Sequence, residues 1–271
     1  MTDGPDTTSY FAADFARDAE RSRLSILERT LDPISIGHLE RLAFADGTPP
    51  RRCLEMGAGG GSIARWLGQR VAPGATVVAA DVDTSFLVDL PPAVEVRRFD
   101  ITADSLEPLY FDLVHCRLLL LHLADPMAAL QKLGDAVAPG GVLLVEEWDY
   151  ATTHAYQRDH PLTTVVNRVN EALFGLTLSM GINVWLGRDL PDMVEATGLH
   201  DVDHVGSLRV TRGTPEPTMQ KASTALLRPA LVGRKLVEEA EVDDWFRALS
   251  DPDFRMIDYT TMSVWGRRPR L

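Results

Sequence analysis

The stretch Leu54-Glu55-Met56-Gly57-Ala58-Gly59-Gly60-Gly61-Ser62 decides how this chain is read. Cys53 to Met56 closes a short apolar run of the kind that forms a buried parallel strand. Beyond the glycines, Ile63, Leu67 and Val71 recur at helical spacing, with Ala64 and Trp66 beside them. The glycines therefore form a strand-to-helix turn, the position at which a doubly wound sheet binds a nucleotide-like ligand. Glycine suits that turn because the backbone must take positive φ and let a ligand approach the main chain. The N–H groups that open the next helix face the same crevice.

Outward from the turn, strands and helices alternate. Ala75 to Ala80 is a second buried strand ending at Asp81, and 81 − 61 gives 20 residues from the last glycine. A carboxylate there can accept from two ribose hydroxyls. Val94 to Phe99 is a third strand ending in Asp100-Ile101, where Asp100 is placed to hold an amino group of a base. Phe111 to Cys116 is the fourth, and Val142 to Glu146 the fifth, after a helix stopped by Pro139-Gly140-Gly141. This alternation predicts a parallel sheet with helices on both faces. Val202 to Val210 and Asp258 to Trp265 alternate as two further strands. Before the turn, a helix from Ser9 and a second one capped by Asp32-Pro33 are expected.

These landmarks stand in the order and spacing of a known family. Glu55-x-Gly57-x-Gly59-x-Gly61, Asp81, Asp100, Phe111-Asp112-Leu113-Val114 and Pro139-Gly140-Gly141 resemble class I S-adenosylmethionine-dependent methyltransferases over about residues 51–148. The segment Leu31 to Leu42 is similar to actinobacterial small-molecule enzymes of natural-product type. The resemblance implies an α/β fold: a Rossmann-like, doubly wound, mostly parallel seven-stranded sheet with a terminal antiparallel hairpin and a helical cap. It also implies the cofactor S-adenosyl-L-methionine. Gly57 and Gly59 would lie under its methionine part, within a loop completed by Ala58 and Gly61. Glu55 would orient the loop or the cofactor ammonium. Asp81, followed by Val82, would bind ribose, and Asp100 with Ile101 would hold adenine. Cys116 and Arg117 would flank the methionine end through backbone and side chain.

Four segments are expected: residues 1–46 as a helical lid, 47–150 as the cofactor-binding core, 151–186 as a helical cap, and 187–271 as a terminal helix and strands with a helical insertion at 213–250. The lid could bring Tyr10 to the methyl-transfer site. Phe11, Trp148, His160, Phe174 and Trp185 are expected around a small, mostly apolar or aromatic substrate. Glu147, Asp149 and His154, just past strand five, are the candidate catalytic groups, with proton removal as the task. His115, within strand four, is expected to be a satisfied core histidine.

Composition narrows the classes. A formal net charge of −12 argues against a nucleic-acid partner, since phosphate binding needs clustered Lys and Arg. No apolar run approaches the ~20 residues that span a bilayer, so no membrane role is expected. Two cysteines in apolar runs suit buried thiols and a cytoplasmic setting. No metal site is expected, and a homodimer stays open. An NAD-dependent oxidoreductase shares the glycine turn and Asp81, and a cofactor-binding protein of this fold with a non-methylating role shares everything; both stand as alternatives.

Overall fold

The computed structural model describes residues 17–270. Its centre is a seven-stranded sheet: β1 (Arg52–Met56), β2 (Thr76–Asp81), β3 (Val94–Arg98), β4 (Phe111–Arg117), β5 (Val137–Asp149), β7 (His200–Ser207) and β10 (Thr260–Arg267). The strand order is β3-β2-β1-β4-β5-β10-β7. Strands β1 to β5 are parallel, and β10 runs antiparallel to both of its neighbours. The expected Rossmann-like sheet with an antiparallel end is therefore present. Both edges carry charge: Glu95, Arg97 and Arg98 on β3, and Asp201 and Asp203 on β7, which discourages edge-to-edge pairing.

Alternation along the strands divides two apolar layers. Cys53, Leu113, Leu144 and Trp265 face α1 (Arg17–Leu39) and α2 (Ser62–Arg70), with Leu39, Ile63 and Leu67 in the same layer. Leu54, Met56, Val114 and Val145 face α3 (Pro126–Ala136) and α5 (Leu186–Ala196), through Leu130, Leu133, Leu190 and Val194. A separate cap has its own core. There α4 (Thr163–Ser179), α6 (Met219–Gly233) and α7 (Glu239–Ala248) pack around Val169, Leu231, Trp245 and Phe254. A small antiparallel sheet ties the cap together from β6 (His154–Ala155), β8 (Val210–Arg212) and β9 (Arg255–Ile257), in the order β6-β9-β8.

Helix α1 corrects one expectation. Asp32-Pro33 does not start a helix; α1 runs through Pro33. Asp32 is unavailable as a cap because its carboxylate accepts from Ser62 Oγ and Arg117 Nη2, each at 3.0 Å. Buried Ile26 and Leu31 pack against Trp148 and Met219, and each such side chain contributes roughly 1.5–3 kcal/mol. That contact holds α1 across the mouth of the sheet. Tyr10 and Phe11 lie outside the described residues.

Candidate active site

A cavity of about 420 Å³ opens at the carboxyl ends of β1, β2 and β4 and runs beneath the cap. The chain reverses at the end of β1 with positive φ at Gly57 (74°) and Gly59 (52°). A Cβ on Gly57 would lie 3.2 Å from Leu119, and one on Gly59 would lie 3.2 Å from Leu24 of α1. The turn thus works as a narrow cradle walled by its neighbours. Asp81 pins it: Oδ2 accepts from Gly59 N at 2.8 Å and Oδ1 from Asp83 N at 3.0 Å. Burial raises the Asp81 carboxyl above its usual range, while these amides pull it down. Each oxygen keeps a further lone pair for a ligand hydroxyl. Asp100 accepts from Thr102 N at 2.9 Å and Thr102 Oγ1 at 2.6 Å, which holds it below the usual carboxylate range. Lys132 secures the adjoining turn by donating to Ile101 O at 2.8 Å.

Glu55, Gly57, Ala58, Gly59, Asp81, Val82, Asp100, Ile101 and Arg117 all border this one cavity, as do Trp148 and Phe174. Others do not, for identifiable reasons. Gly61 caps α2 with φ 80°, and a Cβ there would meet Leu87 and Leu90. The Cys116 side chain is on the opposite layer, fully buried among core residues, and burial raises its thiol well above the ordinary value. It therefore does not flank the cavity. His154 is exposed and bonds Thr152 O. His160 packs on Phe254, 5.0 Å between centroids. Trp185, 37% exposed, meets Phe174 edge-on from outside the cavity.

Glu147 and Asp149, expected just past strand five, lie within β5, which runs on to Asp149, and both are structural in position. Asp149 receives Arg188 (2.8 Å to Nη2) and Ala151 N. Glu147 faces the α3/α5 layer, and its Oε1 accepts from Leu119 N at 3.1 Å and Leu120 N at 2.7 Å. It clamps the turn in which Leu118 has φ 52°. Its Oε2 is buried and bonds no described residue. Burial is the main cause that pushes Glu147 up to about 8, against the opposing amides. The unfolded chain loses this proton near 4.5. Stability contributed at this site is then fully present below about pH 4.5 and falls up to about pH 8, by on the order of a few kcal/mol. Glu147→Gln should remove that slope, so urea midpoints of variant and wild type should diverge in the variant's favour across this window. A pH-independent difference would refute the assignment.

Residues that the sequence reading passed over complete the site. Tyr150 and Tyr259 border the cavity with Trp148; the two tyrosine rings are 4.5 Å apart between centroids and Tyr259 is 5.1 Å from Trp148. Neither tyrosine hydroxyl bonds another described residue, and burial raises both phenols, so both stay protonated donors. His122 also borders the cavity, and burial lowers it to about 4. Leu24 and Glu28 of α1 lie over the glycine turn. Only the i, i+4 spacing of Leu24 and Glu28 hinted at a shared helix face. Among the described residues, no group of His, Cys, Asp or Glu has an arrangement that could hold a metal ion, and no helix is long and apolar enough to cross a membrane.

A parallel five-strand sheet closed by an antiparallel strand, with a glycine cradle and an acidic residue at the end of β2, defines a Rossmann-like methyltransferase fold. A methyltransferase-domain family matches residues 29–204, and the chain belongs to this family, the class I S-adenosylmethionine-dependent methyltransferases. It is 30% identical over 191 residues to methyltransferase str2 of Strobilurus tenacellus, covering 68% of this chain, and 32% identical over 118 residues to methyltransferase str3 of the same organism, covering 43%. The matched parts span 66% and 42% of the lengths of those relatives. Among solved structures, the fold resembles phosphoethanolamine N-methyltransferase 2 of Haemonchus contortus, with a TM-score of 0.52 and 16% identity, over 92% of this chain and 53% of that one.

Proposed function

We propose that this chain transfers the methyl group of S-adenosylmethionine to an O, N or C nucleophile of a small, mostly apolar or aromatic metabolite of secondary metabolism. One observation carries the reading. A single cavity joins the glycine cradle, Asp81 and Asp100 to a largely apolar chamber walled by Trp148, Tyr150, Leu173, Met219, Leu227 and Tyr259.

The residues present fit the cofactor. The cradle offers backbone close to the ligand, Asp81 suits ribose hydroxyls, and Asp100 with Ile101 suits a base. Glu55, Gly57, Ala58, Gly59, Val82 and Arg117 would complete the cofactor half. When bound, the sulfonium supplies an activated methyl group. The protein's own tasks are then alignment and exclusion of water. The apolar chamber and α1 serve the second task. Trp148 and the two tyrosines form an aromatic wall whose rings are tilted to one another by 37–76°, and both phenols can donate to an oxygen on a substrate held against it. His122, which borders the cavity and is held neutral by burial, is the group proposed to accept a proton in place of Glu147, Asp149 and His154. An NAD-dependent reaction is disfavoured because β5 is followed by antiparallel β10 rather than a second parallel half.

Labelled methyl from S-adenosylmethionine should pass into an organic-soluble product when the protein meets a small-metabolite extract. In Tyr150→Phe and Tyr259→Phe, KM for the acceptor should rise roughly 2- to 13-fold with KM for the cofactor unchanged. Tight cofactor binding with no label transfer to any acceptor would favour the non-methylating role instead.

A further inference from the structure

A row of polar side chains crosses four adjacent strands on the α1 face of the sheet. Glu55 of β1 stands in register with His115 of β4, and Glu146 of β5 with Ser263 of β10. His115 donates from Nδ1 to Glu55 Oε2 at 2.6 Å and from Nε2 to Glu146 Oε2 at 3.2 Å. Ser263 donates to Glu146 Oε1 at 2.6 Å, and Ser35 of α1 donates to Glu146 Oε2. Arg117 then donates to Ser35 Oγ at 2.8 Å and to Asp32 at 3.0 Å. His115 and Glu146 have no exposed surface.

Packing does not require this row. The next row on the same face, Cys53, Leu113, Leu144 and Trp265, is apolar. Burying charges carries a large desolvation cost, and a buried ion pair is a poor means of raising stability. The polar row is found where the strand ends meet the cavity. Glu55, at one end of the row, and Arg117, joined to it through Ser35, both border the cavity.

We propose that His115 is a positioning residue: it holds the Glu55 side chain toward the α-ammonium at the amino-acid end of the cofactor, and it links that setting to helix α1 through Glu146 and Ser35. The inference rests on the methyltransferase reading. The two flanking carboxylates outweigh burial and raise His115 to about 9. Its imidazolium thus holds Glu55 at 2.6 Å and Glu146 at 3.2 Å, and the hydroxyls of Ser35 and Ser263 satisfy the second carboxylate. Arg117 joins Ser35 and Asp32, so the seat of α1 and the orientation of Glu55 depend on one chain of contacts.

The test uses two ligands that share adenosine and a thioether. S-adenosylhomocysteine carries the amino-acid end, and 5′-methylthioadenosine lacks it. His115→Gln removes the positive charge but keeps a polar side chain. By calorimetry, it should weaken S-adenosylhomocysteine roughly 10- to 100-fold and leave 5′-methylthioadenosine unchanged. A merely structural role would weaken both alike, and that result, or no change in either, overturns the proposal. Ser35→Ala gives the same reading without altering a charge, should His115→Gln fail to fold. It should weaken S-adenosylhomocysteine roughly 2- to 13-fold and spare the shorter ligand; an equal drop in both ligands, or none, overturns the link. Wild-type protein that binds neither ligand would overturn the methyltransferase reading and this inference with it.

Discussion

In a Gly59→Val variant, binding of S-adenosylhomocysteine should fall below detection while the protein remains folded. Gly59 has φ 52°, where an L-residue costs roughly 1–2 kcal/mol and a β-branched one more. The new Cβ would also press on Leu24 of α1 at 3.2 Å. Moving the loop to relieve both would draw Gly59 N from Asp81, now at 2.8 Å. The cradle would lose its shape from three directions. For a chain of this size each kcal/mol lowers Tm by about 2–4 °C, so the sheet should survive. Wild-type affinity in a folded variant would place the cofactor elsewhere.

Asp81→Ala should weaken S-adenosylhomocysteine by roughly 5- to 150-fold, the range of about 1–3 kcal/mol for charge-assisted hydrogen bonds. Two losses combine. The ribose hydroxyls would lose their acceptor, and Gly59 N and Asp83 N would lose theirs. Because both concern the nucleoside end, 5′-methylthioadenosine should weaken to the same degree. This is the opposite of the split expected at His115, so the pair of variants separates the two ends of the ligand. Unchanged affinity for both ligands would remove Asp81 from the ribose site.

Much of the sheet was legible because buried parallel strands read as apolar runs and their ends are marked by Gly, Asp and Pro. The turn after Met56, the strand ending at Asp81 and the strand ending near Asp100 each announce themselves in this way. The second sheet was not legible. His154–Ala155, Val210–Arg212 and Arg255–Ile257 are two or three residues each, too short to show a period. They exist because the cap brings distant segments together. Val202 to Val210 read as one strand for the same reason; the structure divides it between two sheets at Leu208 and Arg209.

The site was legible where chemistry follows the strand ends and illegible where side-chain direction decides. Glu146 and Glu147 are neighbours in sequence, yet they face opposite layers of the sheet. Glu146 joins the His115 row, whereas Glu147 clamps a turn. Cys116 and Arg117 divide in the same way, one into the core and one toward the cavity. A shift of one residue in the reading exchanges such roles. Tyr259 could not be found from local pattern, since only the tertiary fold brings it to Tyr150 across 109 positions (259 − 150).

The place of β10 has a consequence for how the molecule is made. It forms ladders with β5 on one side and β7 on the other, yet it is the last strand in chain order. During synthesis β5 emerges with one flank bare, and β7 emerges with no partner in the main sheet. Both wait until β10 arrives. Sequence-distant pairing of this kind is slow and leaves sticky intermediates. Newly made chains should therefore spend their vulnerable period with the β5 flank open, and chaperone demand should be set by the arrival of Thr260–Arg267 rather than by assembly of the cofactor half.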